Sequence, residues 1–141
     1  MTKQQDFSMW SVNFILFCLA NFLYYGAFYL YIPVLPQYVE MLGGTPADIG
    51  LVGGAFGLSS FIIRPYLGKL ANEWGRKRMM LLGTISFALL FLLFGRVTGV
   101  VPLVVLRLAH GVCLAMYLAA SAAYIADYAP VDRRGEVLGI Y

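Results

Sequence analysis

The chain is 141 residues long, 61% hydrophobic and only 12% charged, with 10 Lys and Arg against 7 Asp and Glu. A soluble domain carries about a quarter charged residues, so that class is excluded, and a net charge of +3 spread this thinly leaves no nucleic-acid footprint. Long uncharged tracts reach the roughly 20 apolar residues that cross a bilayer as a helix, which makes this an all-α, polytopic membrane protein.

Residues 1–11 form a short polar lead with Lys3 and Asp6, and Trp10 stands where an interfacial aromatic belongs. The first span is expected over residues 12–32. It is longer than a signal-peptide core of about 7–15 residues and no small-residue cleavage site follows, so it reads as a retained helix. Pro33 and Pro36 are expected to end it, because proline donates no amide hydrogen and disfavours helix in the residue before it. Residues 40–48 (EMLGGTPAD) read as a turn-rich loop with two acids and no base.

A second span follows over 49–67, then a glycine-punctuated basic connector, then a third span over 79–94. Residues 95–99 make a tight loop with Arg96. Pro102 suits the first turn of a fourth span reaching residue 124. Residues 127–136 are a second charged connector, and a fifth helix begins near 137 without being completed. Lys69, Arg76, Lys77 and Arg78 fill the first connector and Arg133 and Arg134 the second, whereas the opposite loops hold only Arg96. Positively charged short loops stay cytoplasmic, so the amino terminus is expected inside, with an even number of completed spans.

Several polar or small residues lie inside the apolar tracts. Gly50, Gly53, Gly54 and Gly57 in span two, and Gly111, Ala115, Ala119 and Ala123 in span four, have the four-residue spacing that lets helices approach closely. These seams serve plain packing or permit sliding between helices. Arg107, near the outer end of span four, either serves a functional cavity or snorkels to the interface, and His110 shares its face. For Arg64 snorkelling is the stronger reading. Asn21, with Tyr24 and Tyr25 on its face, needs partners in hydrocarbon and is expected to point inward, as interhelical glue or as a substrate contact. Cys18 and Cys113 sit in apolar tracts and suggest neither a disulfide nor a metal site. No metal-protease, nucleophile-elbow or phosphate-loop pattern appears, so neither an enzyme nor a cofactor is expected.

The connector resembles the signature of the major facilitator superfamily, which lies between that family's second and third helices: Gly, three residues, an acid, a base, one residue, Gly, then basic residues. Gly68, Gly75, Lys77 and Arg78 match, with Arg76 also basic and Leu70 and Ala71 as the usual apolar filling. Asn72 stands in place of the usual acid and Glu73 in place of the usual base, which weakens the charged latch of the cytoplasmic gate that the resemblance implies. Arg107-Leu108-Ala109-His110-Gly111 resembles the family's fourth-helix pattern, whose arginine is linked to proton coupling. Asp127, Pro130, Arg134, Gly135 and Glu136 resemble its connector between helices four and five.

The resemblance implies the amino-terminal portion of a transporter with two six-helix halves built of inverted three-helix repeats. On that plan Asn21, Tyr24, Arg107 and His110 contribute to the cavity or to coupling. The expected partners are membrane lipids, a small organic solute, protons in the full-length protein, and a carboxy-terminal half that this chain lacks. The expected place is the plasma (inner) membrane. Because the chain stops inside a fifth helix, it reads as a fragment or truncated product of an alternating-access transporter. The alternatives are a small four-helix dimeric exporter and a non-transporting membrane scaffold. The first resembles proteins that need an acid in helix one, and none stands between Asp6 and Glu40. The second explains the glycine seams but not the ordered loop motifs.

Overall fold

The computed structural model describes residues 11–128 together with 135, 137 and 139. Helix α1 (Val12–Tyr31) starts at Ser11, whose hydroxyl accepts from the Phe14 amide at 3.3 Å. It does not stop at the prolines. A 3-10 turn (Ile32–Val34) and a short helix α2 (Leu35–Met41) continue the rod. Pro33 and Pro36 each stand at the start of one of these pieces, where no amide hydrogen is needed. The rod ends instead at Gly43, with φ +78°. There the Gly44 amide returns to the Val39 carbonyl and the Gly43 amide to the Glu40 carbonyl, each at 2.9 Å, the double closure of a Schellman cap.

The loop expected over 40–48 therefore shrinks to residues 42–45. Thr45 and Asp48 form a reciprocal capping box, and helix α3 (Pro46–Trp74) begins at Pro46 rather than at residue 49. The larger departure lies at the other end of α3. The expected connector from Gly68 to Trp74 is helical, and only Gly75 breaks the chain before helix α4 (Arg76–Leu92). Lys, Leu, Ala and Glu are good helix formers, and Leu67 and Ala71 keep the buried stripe going for one more turn. Gly75 sits at φ +89°, which glycine adopts at little cost.

A 3-10 turn (Phe94–Arg96) leads to helix α5 (Val100–Tyr128), with Pro102 in its first turn as expected. Among the described residues, four segments are long and apolar enough to cross a membrane, the first comprising α1, the turn and α2. Among the described residues there is no strand. The protein is an all-α, multi-pass membrane protein. Half of the most apolar stretch of α5 is buried, against 11–17% in the other three spans, so α5 is the central helix. Residues 137 and 139 are helical where the fifth helix is expected, residue 135 is helical inside the expected connector, and Val137 is buried with Phe14 and Phe17 of α1.

The glycines divide in an unexpected way. A Cβ at Gly111 of α5 would run into the Phe56 carbonyl and Ser59 hydroxyl of α3. One at Gly83 of α4 would stand 3.0 Å from the Tyr117 amide nitrogen and 3.1 Å from the Cys113 carbonyl oxygen of α5. These two glycines set the close approaches. The expected seam at Gly50, Gly53, Gly54 and Gly57 meets nothing within 4 Å and lies on the open face of α3. Helical periodicity identifies such a stripe but not the direction it faces.

Candidate functional site

Three clusters along α5 collect the candidate residues. The first lies between α1 and α5. Asn21 of α1 is 3% exposed. Its amide nitrogen donates to the Phe17 carbonyl at 2.9 Å, and its oxygen accepts from the Tyr117 hydroxyl of α5 at 2.8 Å. Both polar ends are thus satisfied, as burial in hydrocarbon demands. Tyr24, one turn along, stacks on Tyr117 with ring centroids 4.0 Å apart, and Tyr25 meets the same ring edge-on at 6.5 Å. The Tyr24 hydroxyl is buried with no hydrogen-bond partner among the described residues.

The second cluster surrounds Arg107. Its guanidinium is buried and does not reach out to the interface. The carbon at its centre lies 4.2 Å from the Phe56 ring centroid and 5.7 Å from that of Tyr31, and Nε donates to the Val52 carbonyl at 3.4 Å. No carboxylate pairs with it among the described residues. Aromatic faces thus take the place of an anion, as cation–π geometry allows. Ten residues of helix, about 15 Å, separate Arg107 from Tyr117. Phe28, Leu114 and their neighbours fill the seam beside the first cluster. Packed rings, Phe28 on Phe56 among them, stand between the Asn21–Tyr24 group and Arg107.

His110 does not share the Arg107 environment. It turns toward α4, where Nε2 lies 3.3 Å from the Phe87 carbonyl oxygen and the ring stacks on Phe94. One turn of helix separates the two side chains, but α3 receives one and α4 the other.

The third cluster stands at the opposite end of the bundle. Arg76, the first residue of α4, pairs with Asp127 and also donates to the Ala123 carbonyl in the last turns of α5. A cation there meets both a carboxylate and the negative end of a helix. The two sequence motifs that carry Arg76 and Asp127 thus meet in space. Asn72, Glu73, Gly75, Lys77 and Arg78 are exposed and Gly68 is half-buried. Gly135 is exposed and helical, whereas Pro130, Arg134 and Glu136 lie outside the described residues, as does the lead through Trp10.

The family model described as Major Facilitator Superfamily matches residues 17–141. The chain belongs to that superfamily. Multidrug resistance protein 2 of Bacillus subtilis is 33% identical over 110 residues, covering 78% of this chain and 28% of that protein. Quinolone resistance protein NorA of Staphylococcus aureus is 34% identical over 110 residues, with the same shares. An uncharacterized MFS-type transporter of Methanocaldococcus jannaschii is 30% identical over 109 residues, covering 77% and 28%. The chain therefore spans a little over a quarter of the length of these relatives. The major facilitator superfamily is a family of transporters, and the four apolar spans agree with that membership.

Within this superfamily chain, the residues that sequence reading passed over are the aromatic partners. Tyr117 was open to discovery: a tyrosine deep in an apolar span needs a partner for its hydroxyl, and Asn21 is the polar residue at matching depth. Phe56 and Tyr31 carried no such signal, since an aromatic ring in a membrane helix is ordinary.

Proposed function

We propose that this chain is the amino-terminal part of a secondary transporter that moves small organic solutes out of the cell by alternating access. The observation that carries the reading is the buried Asn21–Tyr117 hydrogen bond, a polar pair at mid-depth between α1 and α5. These are the two helices that inverted repeats make equivalent, and substrate sites of such transporters lie near the midplane at the repeat interface. The stacked rings of Tyr24, Tyr25 and Tyr117 suit a flat, apolar compound with a few polar atoms. Relatives named for multidrug and quinolone resistance support drug-like compounds as the solute class.

Rocking opens the α1–α5 seam, and the buried Arg107 charge serves coupling to an ion, protons in the full protein. The end carrying Arg76, Lys77 and Arg78 faces the cytoplasm of a plasma (inner) membrane, as the Lys/Arg distribution favours. There the turn at Gly75 and the exposed Asn72 and Glu73 close against the remainder of the transporter. The Arg76–Asp127 pair holds the chain's own side of that gate.

Cysteine accessibility along α1 and α5 tests the reading. Labelling is expected to follow a helical period centred on the Asn21–Tyr24 face and to fall when an aromatic drug is added. Labelling without a period, or on the opposite face, overturns it. In drug-sensitive cells expressing the gene, Asn21→Ala and Tyr24→Ala are expected to reduce ethidium efflux without reducing membrane insertion.

A further inference from the structure

We propose that α1 swings as a lever about a joint at residues 32–36, with α2 as its fixed base. The rod from Val12 to Met41 is not one continuous helix. It tightens to a 3-10 turn over Ile32–Val34, and prolines stand at positions 33 and 36. A continuous α-helix would bond the amide of residue 33 to the Tyr29 carbonyl and that of residue 36 to the Ile32 carbonyl. Proline donates neither bond. The Leu35 amide reaches the Ile32 carbonyl instead, in the tighter 3-10 manner. Two of the backbone bonds that stiffen a rod are therefore missing within one turn. A 3-10 stretch in mid-helix is a common place for a hinge.

The two sides of the joint are held differently. On one side α2 is fixed to the bundle. Leu35 and Val39 are buried in one cluster with Val52 of α3, Phe94, and Leu103 and Leu106 of α5. The Tyr38 hydroxyl donates to the Phe94 carbonyl and lies 3.5 Å from the Val97 carbonyl oxygen. The chain has no slack beyond α2. A Cβ at Gly44 would run into Val39 and Val100, and α3 begins at Pro46. On the other side α1 is held through side chains. Phe28 stacks on Phe56, Tyr24 stacks on Tyr117, and Asn21 accepts from Tyr117. Phe14 and Phe17 lie among Tyr124, Ile125 and Val137.

A lever magnifies motion with distance from its joint. At 1.5 Å per residue, Phe28, Asn21 and Val12 lie about 6, 16 and 30 Å from Ile32, so a turn of about 10° moves them about 1, 3 and 5 Å. The smallest of these shifts leaves the Phe28–Phe56 stack in place and Tyr31 near Arg107. The middle one breaks the Asn21–Tyr117 hydrogen bond, which spans 2.8 Å. The largest parts the start of α1 from the end of α5. The seam therefore opens as a taper from the Val12 end, while Arg107 stays covered. A few residues at the ends of elements are enough to absorb such a turn. The joint gives the seam of the transport reading an axis, and it is tested without transport, so either can fail alone.

The experiment uses the chain in lipid nanodiscs, with Cys18→Ala and Cys113→Ala as the background for spin labelling. Double electron–electron resonance reads three pairs of exposed positions. Met41→Cys with Val101→Cys samples the base, Leu30→Cys with Leu92→Cys the joint, and Ile15→Cys with Leu82→Cys the far end. The distance distributions are expected to widen in that order, roughly in proportion to the lever arm. Equal widths at all three, or the greatest width at the base, overturn the lever. Pro33→Ala with Pro36→Ala restores both amides and is expected to narrow the far-end distribution about twofold, with the base unchanged. An unchanged far-end width in that variant, with its helicity intact by circular dichroism, overturns the joint. The order of widths is read with both prolines in place, so it decides the lever even where the proline variant does not fold.

Discussion

Helix α5 meets α3 through backbone at Gly111, and meets α1 through long side chains around Tyr117. The first contact leaves no room for even a methyl group. The second is a stack of rings and a side-chain hydrogen bond. Packing of the first kind is bistable or fixed, because interpenetrating backbones cannot slide by small steps. Packing of the second kind rearranges by rotamer changes and exchange of partners. The difference divides the bundle into a rigid group, α3 and α4 held on α5 at Gly111 and Gly83, and a helix that can move against it, α1. The Asn21–Tyr117 pair lies on the movable boundary.

The strongest way to break this comparison is Gly111→Ala. The new Cβ overlaps the Phe56 carbonyl, which is backbone and cannot turn aside. Overpacking of this sort costs about 1–3 kcal/mol, and the loss is expected in the detergent unfolding transition. Gly53→Ala and Gly57→Ala are the controls, since both face open space. There alanine is expected to be neutral or to stabilise the helix by up to about 1 kcal/mol, the difference in propensity. If Gly57→Ala destabilises as much as Gly111→Ala, the division of the glycines is wrong.

The next effect sharpens the other boundary. Tyr117→Phe leaves the Asn21 oxygen without its donor, and Asn21→Ala removes the acceptor while keeping the helix. A double-mutant cycle on the pair is expected to give a coupling of about 0.6 kcal/mol and at most about 1.7, the range for hydrogen bonds between membrane helices. The same variants are expected to increase cysteine labelling near Tyr24, because α1 loses a cross-helix hydrogen bond there. A coupling near zero would mean that ring stacking alone holds α1.

How much of this was legible in the sequence depends on the range of the interaction. The four spans, the apolar phase of Asn21 and Tyr24, and the family motifs rest on local pattern, and the spans and family stand. Local chemistry was also misread where two signals competed. Thr-Pro-Ala-Asp reads as a turn by composition, yet it is a capping box that starts α3. The stretch from Lys69 to Trp74 reads as a connector because of its charge, yet charged residues at a helix end are solvated without leaving the helix. The prolines read as stops, yet each stands at the start of a new piece of helix. What no local pattern carried was the partner across the bundle: Tyr117 for Asn21, Phe56 for Arg107, Phe94 for His110 and Asp127 for Arg76. Those pairings depend on the depth at which two helices cross.

The smallest expected effect concerns that last pair. Asp127 is largely exposed and Arg76 partly so, with side-chain exposures of 63% and 25%. Asp127→Asn is therefore expected to cost only about 0.2–1 kcal/mol, and less as salt is raised. Arg76→Ala is expected to cost more, because it also removes the donor to the Ala123 carbonyl at the end of α5. Unfolding of both variants at low and high salt separates the two contributions: the carboxylate part fades with salt and the helix-end part persists through its hydrogen bond. Equal losses in the two variants would place the whole latch on the ion pair. A latch of that kind would be screened by physiological salt, and the α4–α5 boundary would then depend on its packing, with Gly83 against Cys113 and Tyr117.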